Sequence, residues 1–131
     1  MIVSFRLIRN ELKLFMAKLI LVVEDESAVR ELLVMLIDEE NGLNATGANN
    51  GFQALELLRT INFDLITLDM NMPEIDGNSF LKELSKVAPS IPVVVVSATP
   101  KNLIPHAQVK GIVVKPFDIE KLIVVIQKFS V

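Results

Sequence analysis

From Lys18 to the end of the chain, short runs of consecutive apolar residues alternate with segments whose apolar residues recur every three or four positions. That alternation constrains the fold more than any other feature. A continuous Val/Ile/Leu run fits a strand covered on both faces, and a helical period after each run fits the crossover back to the next parallel strand. Five such units with right-handed crossovers predict an α/β fold, a doubly wound five-stranded parallel sheet with helices on both faces. Sheets of this kind place their sites outside the carboxyl ends of the strands, at the topological switch point.

The first strand is expected over Leu19–Val23. Ser27 is placed to cap a helix facing inward through Val29, Leu32, Leu33 and Leu36 and ended by Asn41-Gly42. A weaker strand at about 43–48 and a helix at about 51–60, inward through Leu55 and Leu58, follow. Residues 64–69 read as the third strand, and Phe80, Leu81, Leu84 and Val87 line one side of the next helix. Residues 91–96 form the most hydrophobic strand, ending at Ser97. Residues 99–110, interrupted by Pro100 and Pro105, predict a short or irregular helix. Gly111 to Lys115 reads as the fifth strand, and Asp118 caps a last helix packed through Ile119, Leu122, Ile123, Ile126 and Phe129.

Composition narrows the chemistry. The length of 131 residues predicts one domain, and 51% hydrophobic against 22% charged residues is a folding composition rather than a disordered one. Without cysteine there are no disulfides, thiolate nucleophiles or cysteine metal sites, which fits a reducing cytosol and a cytoplasmic protein. A single histidine, His106, rules out a two-histidine metal cluster. It lies beside Pro105 in a polar stretch and reads as an exposed bystander. With no Trp or Tyr and a net charge of −3, neither a stacking platform nor a basic surface for nucleic acid is expected. No apolar run approaches the length of a membrane span, so no stable membrane insertion is expected.

Polar groups stand where the buried runs stop: Glu24 and Asp25 after the first, Asp69 after the third, Ser97 after the fourth and Lys115 after the fifth. Any one of them alone is an ordinary strand-to-loop transition. Together they fall on one edge of the sheet, where three carboxylates would repel unless a cation neutralised them. An oxygen-only ligand set points to a hard ion, Mg²⁺ before Mn²⁺.

Over residues 18–131 the sequence resembles the receiver domain of two-component response regulators, the CheY-like family. The resemblance is carried by Leu21-Val22-Val23-Glu24-Asp25-Glu26, by Leu68-Asp69-Met70-Asn71-Met72-Pro73-Glu74-Ile75-Asp76-Gly77, by Val96-Ser97-Ala98 and by Val114-Lys115-Pro116-Phe117. It implies a flavodoxin-like sheet of order 2-1-3-4-5 and a single-domain response regulator. In that reading Asp69 accepts a phosphoryl group from a phosphohistidine on a sensor histidine kinase or histidine phosphotransfer protein. Asp25, Asp69 and the backbone carbonyl of Asn71 ligate Mg²⁺, with Glu24 acting through a water. Ser97 and Lys115 contact the phosphoryl oxygens, and a cis Lys115-Pro116 peptide aims the lysine across the sheet. The resemblance further implies a protein that catalyses its own phosphorylation and dephosphorylation and signals by binding a downstream protein.

Three positions depart from the family pattern. Glu24 stands where Asp is commoner, Ile112 where an aromatic is usual, and the interval from Ser97 to Lys115 is short, so the fourth helix should be truncated. Met35, Met70 and Met72 read as core or loop packing, and Val124 as an apolar residue on the charged side of the last helix. With Ile112 nearby, a partner or homodimer surface stays open. Residues 1–17 precede the resemblance; as a helix capped by Ser4 they would align Phe5, Ile8, Leu12 and Phe15 opposite Arg6, Arg9 and Lys13, unless Met16 is the true start. The main alternative is a non-phosphorylated pseudo-receiver acting only as an interaction module. A haloacid-dehalogenase-type phosphatase would need an Asp at Asn71, and in a flavodoxin-like cofactor binder Glu24-Asp25-Glu26 would repel the phosphate.

Overall fold

The structure is a computed structural model that describes residue 8 and residues 16–131. The helix expected from Ser4 to Phe15 falls outside these residues, apart from Ile8, which is exposed. Strands β1 (Lys18–Val23), β2 (Leu43–Ala48), β3 (Leu65–Leu68), β4 (Val93–Ser97) and β5 (Val109–Val114) form one parallel sheet of order β2-β1-β3-β4-β5. Helices α1 (Ser27–Asp38), α2 (Gly51–Leu58), α3 (Gly77–Val87) and α4 (Ile119–Phe129) connect and cover it. This is the doubly wound sheet that the alternating pattern predicts.

Alternation along each strand splits the core in two. Leu21, Val23, Ile66, Leu68, Val93 and Val95 pack with Ala54, Phe80, Leu81 and Leu84 of α2 and α3. Ile20, Val22, Leu65, Val94, Val96 and Val113 pack with Leu33, Ile37, Leu122, Ile123 and Ile126 of α1 and α4. Each fully buried Leu or Ile contributes about 1.5–3 kcal/mol, so this double layer holds the strand ends that carry the polar groups. The helices start where local chemistry allows: the Asn50, Asp76 and Asp118 side chains accept from Gln53, Ser79 and Glu120 N–H at 2.8, 2.8 and 2.9 Å. At the other end of α1, Gly42 closes the turn into β2 with φ +83°, a left-handed conformation that favours glycine.

Several local expectations are corrected. Ser27 is not the cap of α1; Glu26 holds that position without a side-chain hydrogen bond. Helix α1 is turned so that Leu33 and Ile37 are buried while Leu32 and Met35 are exposed. A run as apolar as Val29 to Ile37 has two acceptable inward faces, and only docking against the sheet selects one. Val87 at the end of α3 is likewise exposed. Between β4 and β5 the truncated helix is reduced further, to one 3₁₀ turn at Pro100–Asn102. Strand β5 begins at Val109 rather than Gly111, with a register irregularity between Val93 and Val94. With so little covering this side, Ile112 and Val114 on the edge strand are about half exposed, and Val124 on α4 is exposed as read from the sequence.

Candidate functional site

Register alone assembles the site. Val23 pairs with Leu68 and Ser97 with Val114, so the residues that follow, Glu24, Asp69 and Lys115, meet at the carboxyl edge of the central strands. Backbone bonds lock the ends: Asp69 N–H donates to Val23 O at 3.1 Å and Lys115 N–H to Ser97 O at 3.0 Å. The Lys115-Pro116 peptide is cis, as the resemblance implied.

Glu24, Asp25 and Asp69 each turn a carboxylate oxygen into one cluster in which all three lie within 4.8 Å of one another. Glu24 is 1% exposed, Asp69 7% and Ser97 not at all, while Asp25 is half-buried. The ammonium of Lys115 donates to Glu24 Oε1 and stands 3.7 Å from Asp69 Oδ2. One cation therefore faces three carboxylates. Burial, together with the hydrogen bond and charge of Asp69, pushes the Glu24 carboxyl up to about 7 against the pull of Lys115. Burial pulls Lys115 down, but Glu24, Asp69 and Glu26 more than offset it and hold the ammonium above its usual range. The surplus negative charge and the oxygen-only donors fit a hard divalent cation.

Loops complete the site. Asn71 N–H donates to Asp69 Oδ1 at 3.3 Å, folding the Asn71 peptide back onto the Asp69 carboxylate. Ser97 Oγ accepts from Thr99 N–H at 3.1 Å, and Thr99 Oγ1 accepts from Asn71 Nδ2 at 2.8 Å. Every residue singled out in the sequence for this edge, Glu24, Asp25, Asp69, Asn71, Ser97 and Lys115, is gathered here.

A model of the response regulator receiver domain matches residues 20–127. The chain belongs to the response regulator receiver family. Among its relatives, the chemotaxis protein CheY of Thermotoga maritima is 30% identical over 119 residues, covering 88% of this chain and 99% of that protein. A protein-glutamate methylesterase/protein-glutamine glutaminase of Treponema denticola is 41% identical over 84 residues, which is 63% of this chain but only 23% of that enzyme. The chain thus spans nearly all of CheY and about a quarter of the methylesterase. In structure, the receiver domain of the Francisella response regulator 1452 superposes with a TM-score of 0.73 at 30% identity over 86% of this chain and 96% of that one. As a receiver domain of two-component systems, this fold presents its acidic cluster at the carboxyl edge of the parallel sheet. Among the described residues no helix is long and apolar enough to cross a membrane.

Some residues that shape the receiver site gave no signal in the sequence. Arg30 donates from Nη1 to the carbonyls of Glu24 at 2.9 Å and Asp25 at 3.3 Å, tying the acidic loop to α1. Only the helical turn brings an arginine five and six positions ahead back onto that loop. Away from the site, at the amino ends of β4 and β5, Gln108 is buried and donates to Ala88 O and Ile91 O, both at 2.9 Å, while its own N–H donates to His106 Nδ1 at 3.2 Å. His106 is therefore a local loop acceptor, half-buried rather than an exposed bystander.

Proposed function

We propose that this receiver domain accepts a phosphoryl group on Asp69 from a phosphohistidine of a sensor histidine kinase or histidine phosphotransfer protein, and that the modification biases its binding to a downstream protein. The observation that carries this reading is the placement of the Asp69 carboxylate between Lys115, at 3.7 Å, and the Glu24–Asp25 pair. Phosphoryl transfer asks little covalent chemistry of the protein; it needs an in-line carboxylate and positive charge around the phosphoryl oxygens.

Asp25, Asp69 and the Asn71 backbone carbonyl are the proposed ligands of Mg²⁺ (Mn²⁺ as second choice), with Glu24 acting through water. When bound, the ion supplies positive charge opposite the developing charge on the phosphoryl oxygens. The chain's own groups do the rest. Asp69, fixed by Asn71 N–H, attacks phosphorus through a carboxylate oxygen; the phosphorus–nitrogen bond of the donor breaks, and its electron pair leaves with the imidazole. Lys115 moves from Glu24 and Asp69 to a phosphoryl oxygen, and the Ser97 hydroxyl leaves Thr99 N–H to donate to another. Hydrolysis of the acyl phosphate by water returns the carboxylate. The protein is read as cytoplasmic, without direct nucleic acid binding, with residues 1–17 as an extension ahead of the domain.

Intact-mass measurement after incubation with acetyl phosphate and Mg²⁺ tests the assignment. Wild type gains one phosphoryl group, chelation abolishes the gain, and Asp69→Ala stays unmodified. Equal modification of Asp69→Ala would move the acceptor elsewhere.

A further inference from the structure

Residues 98–108 connect β4 to β5 with a single 3₁₀ turn as their regular structure, yet they carry Thr99, which holds the Ser97 hydroxyl. A connection that short of internal bonds takes its position from whatever it is tied to. At its start the tie is Asn71 to Thr99. In its middle it is one side chain: Asn78, in the first turn of α3, donates from Nδ2 to Asn102 O at 2.8 Å and accepts from Ile104 N–H at 2.9 Å. This two-point amide clamp mimics a strand pairing, fixing both the distance and the rotation of the loop against the helix that follows Asp69. The turn carries it back towards the site, because Asn102 N–H donates to Thr99 O at 3.1 Å and Leu103 N–H to Pro100 O at 3.0 Å. Asn78 thus sits at one end of a bonded chain that ends on Ser97.

We propose that Asn78 is a positioning residue for the acceptor site: its clamp on residues 102–104 does the work that a full helix between β4 and β5 would do, and holds Thr99 and Ser97 in register with Asp69. The proposal rests on the phosphoacceptor reading for its kinetic part. Its structural part stands apart from it, since it concerns the unmodified protein. When Ser97 turns to the phosphoryl group, the same clamp converts the release of Thr99 N–H into a pull on Ile104, which is exposed beside Pro105 and His106 in a groove against Leu81 and Lys82.

The test compares the full chain with Asn78→Ala and Asn78→Asp by residue-resolved amide exchange, Mg²⁺ titration and labelling with acetyl phosphate. In Asn78→Ala the Ile104 and Thr99 amides both exchange at least about fivefold faster, the equivalent of one neutral hydrogen bond. Labelling slows by a similar factor while Mg²⁺ affinity stays at the wild-type value. Asn78→Asp keeps the acceptor for Ile104 N–H and loses the donor to Asn102, so Ile104 stays protected and Thr99 loosens. Faster exchange confined to Ile104, with Thr99 and the labelling rate unchanged, would overturn the proposal. So would a parallel fall in Mg²⁺ affinity, which a local clamp does not touch. Absence of labelling in the wild type would sink the phosphoacceptor reading alone, and the exchange comparison would still decide the clamp.

Discussion

Gly77→Ala is the substitution that most directly tests how the acceptor loop is held. Gly77 opens α3, and its N–H donates to Met70 O at 3.1 Å, so the helix start is pulled onto the residue after Asp69. A Cβ placed there would lie 2.6 Å from Met70 Sδ, 2.8 Å from its Cε and 2.9 Å from its Cα. Ordinary carbon contacts need about 3.5–4.0 Å, so the overlap approaches 1 Å at each. The thioether end can swing, but Met70 is 4% exposed within the α2–α3 side of the core and has little room. The Cα cannot yield unless the turn carrying Asp69 moves. Overpacking of this kind costs about 1–3 kcal/mol, and alanine regains up to about 1 kcal/mol of helix propensity, which with the full regain leaves a net loss of up to about 2 kcal/mol. Urea unfolding followed by far-ultraviolet circular dichroism measures it, since the chain has no Trp or Tyr to report by fluorescence. Phosphoryl labelling should fall further than stability implies, by about 10- to 100-fold, because a displacement of about 1 Å at a reacting group costs on that order. Gly111→Ala is the control: its Cβ would meet methyl and ring edges of Val125 and Phe129 at 3.0 and 3.4 Å, far from the acceptor. A Gly77→Ala protein as stable as wild type and labelled at the same rate would refute the reasoning.

Further outcomes are expected at the same edge and beneath it. The Glu24 carboxyl titrates near 7 when folded and near 4.5 when unfolded, so between those values the folded state binds more protons and stability falls as pH rises. Glu24→Gln therefore gains on wild type by up to about 3 kcal/mol between pH 5 and pH 8 in chelator, and a difference in urea midpoints that is flat with pH would contradict the burial reading. Asp25→Ala weakens Mg²⁺ binding more than Glu24→Ala, since a direct ligand contributes more than one acting through water; reversed losses on calorimetric titration would give Glu24 the metal. Thr67 sits 1% exposed on β3 between Val22 and Val94, and among the described residues its hydroxyl has no hydrogen-bond partner. Thr67→Val should raise stability by about 1 kcal/mol, and a loss of that size in thermal unfolding would mean that the hydroxyl is satisfied.

What the sequence determined by itself was the sheet and the gathering of the acidic edge. Runs such as Leu19–Val23 and Ile91–Val96 are apolar on both faces, which leaves a parallel interior strand as their only comfortable place, and Glu24, Asp69 and Ser97, standing where such runs end, fall on the same edge once the parallel strands align. Short-range chemistry was legible too: Asp118 caps the last helix as its spacing foretold. The tertiary structure decided whatever depends on rotation or on partners distant along the chain. Helix α1 could present Leu32 or Ile37, and the sheet selected Ile37. Asn78 looks like any helix-start asparagine until folding sets it against Asn102 and Ile104, 24 and 26 positions away. Lys115 reaches Glu24 across 91 positions, and the Glu24 carboxyl rises to about 7 only because the fold buries it beside Asp69. Such terms arise from desolvation and contact, which a linear pattern does not carry; they exist only when the core has excluded water from the strand ends.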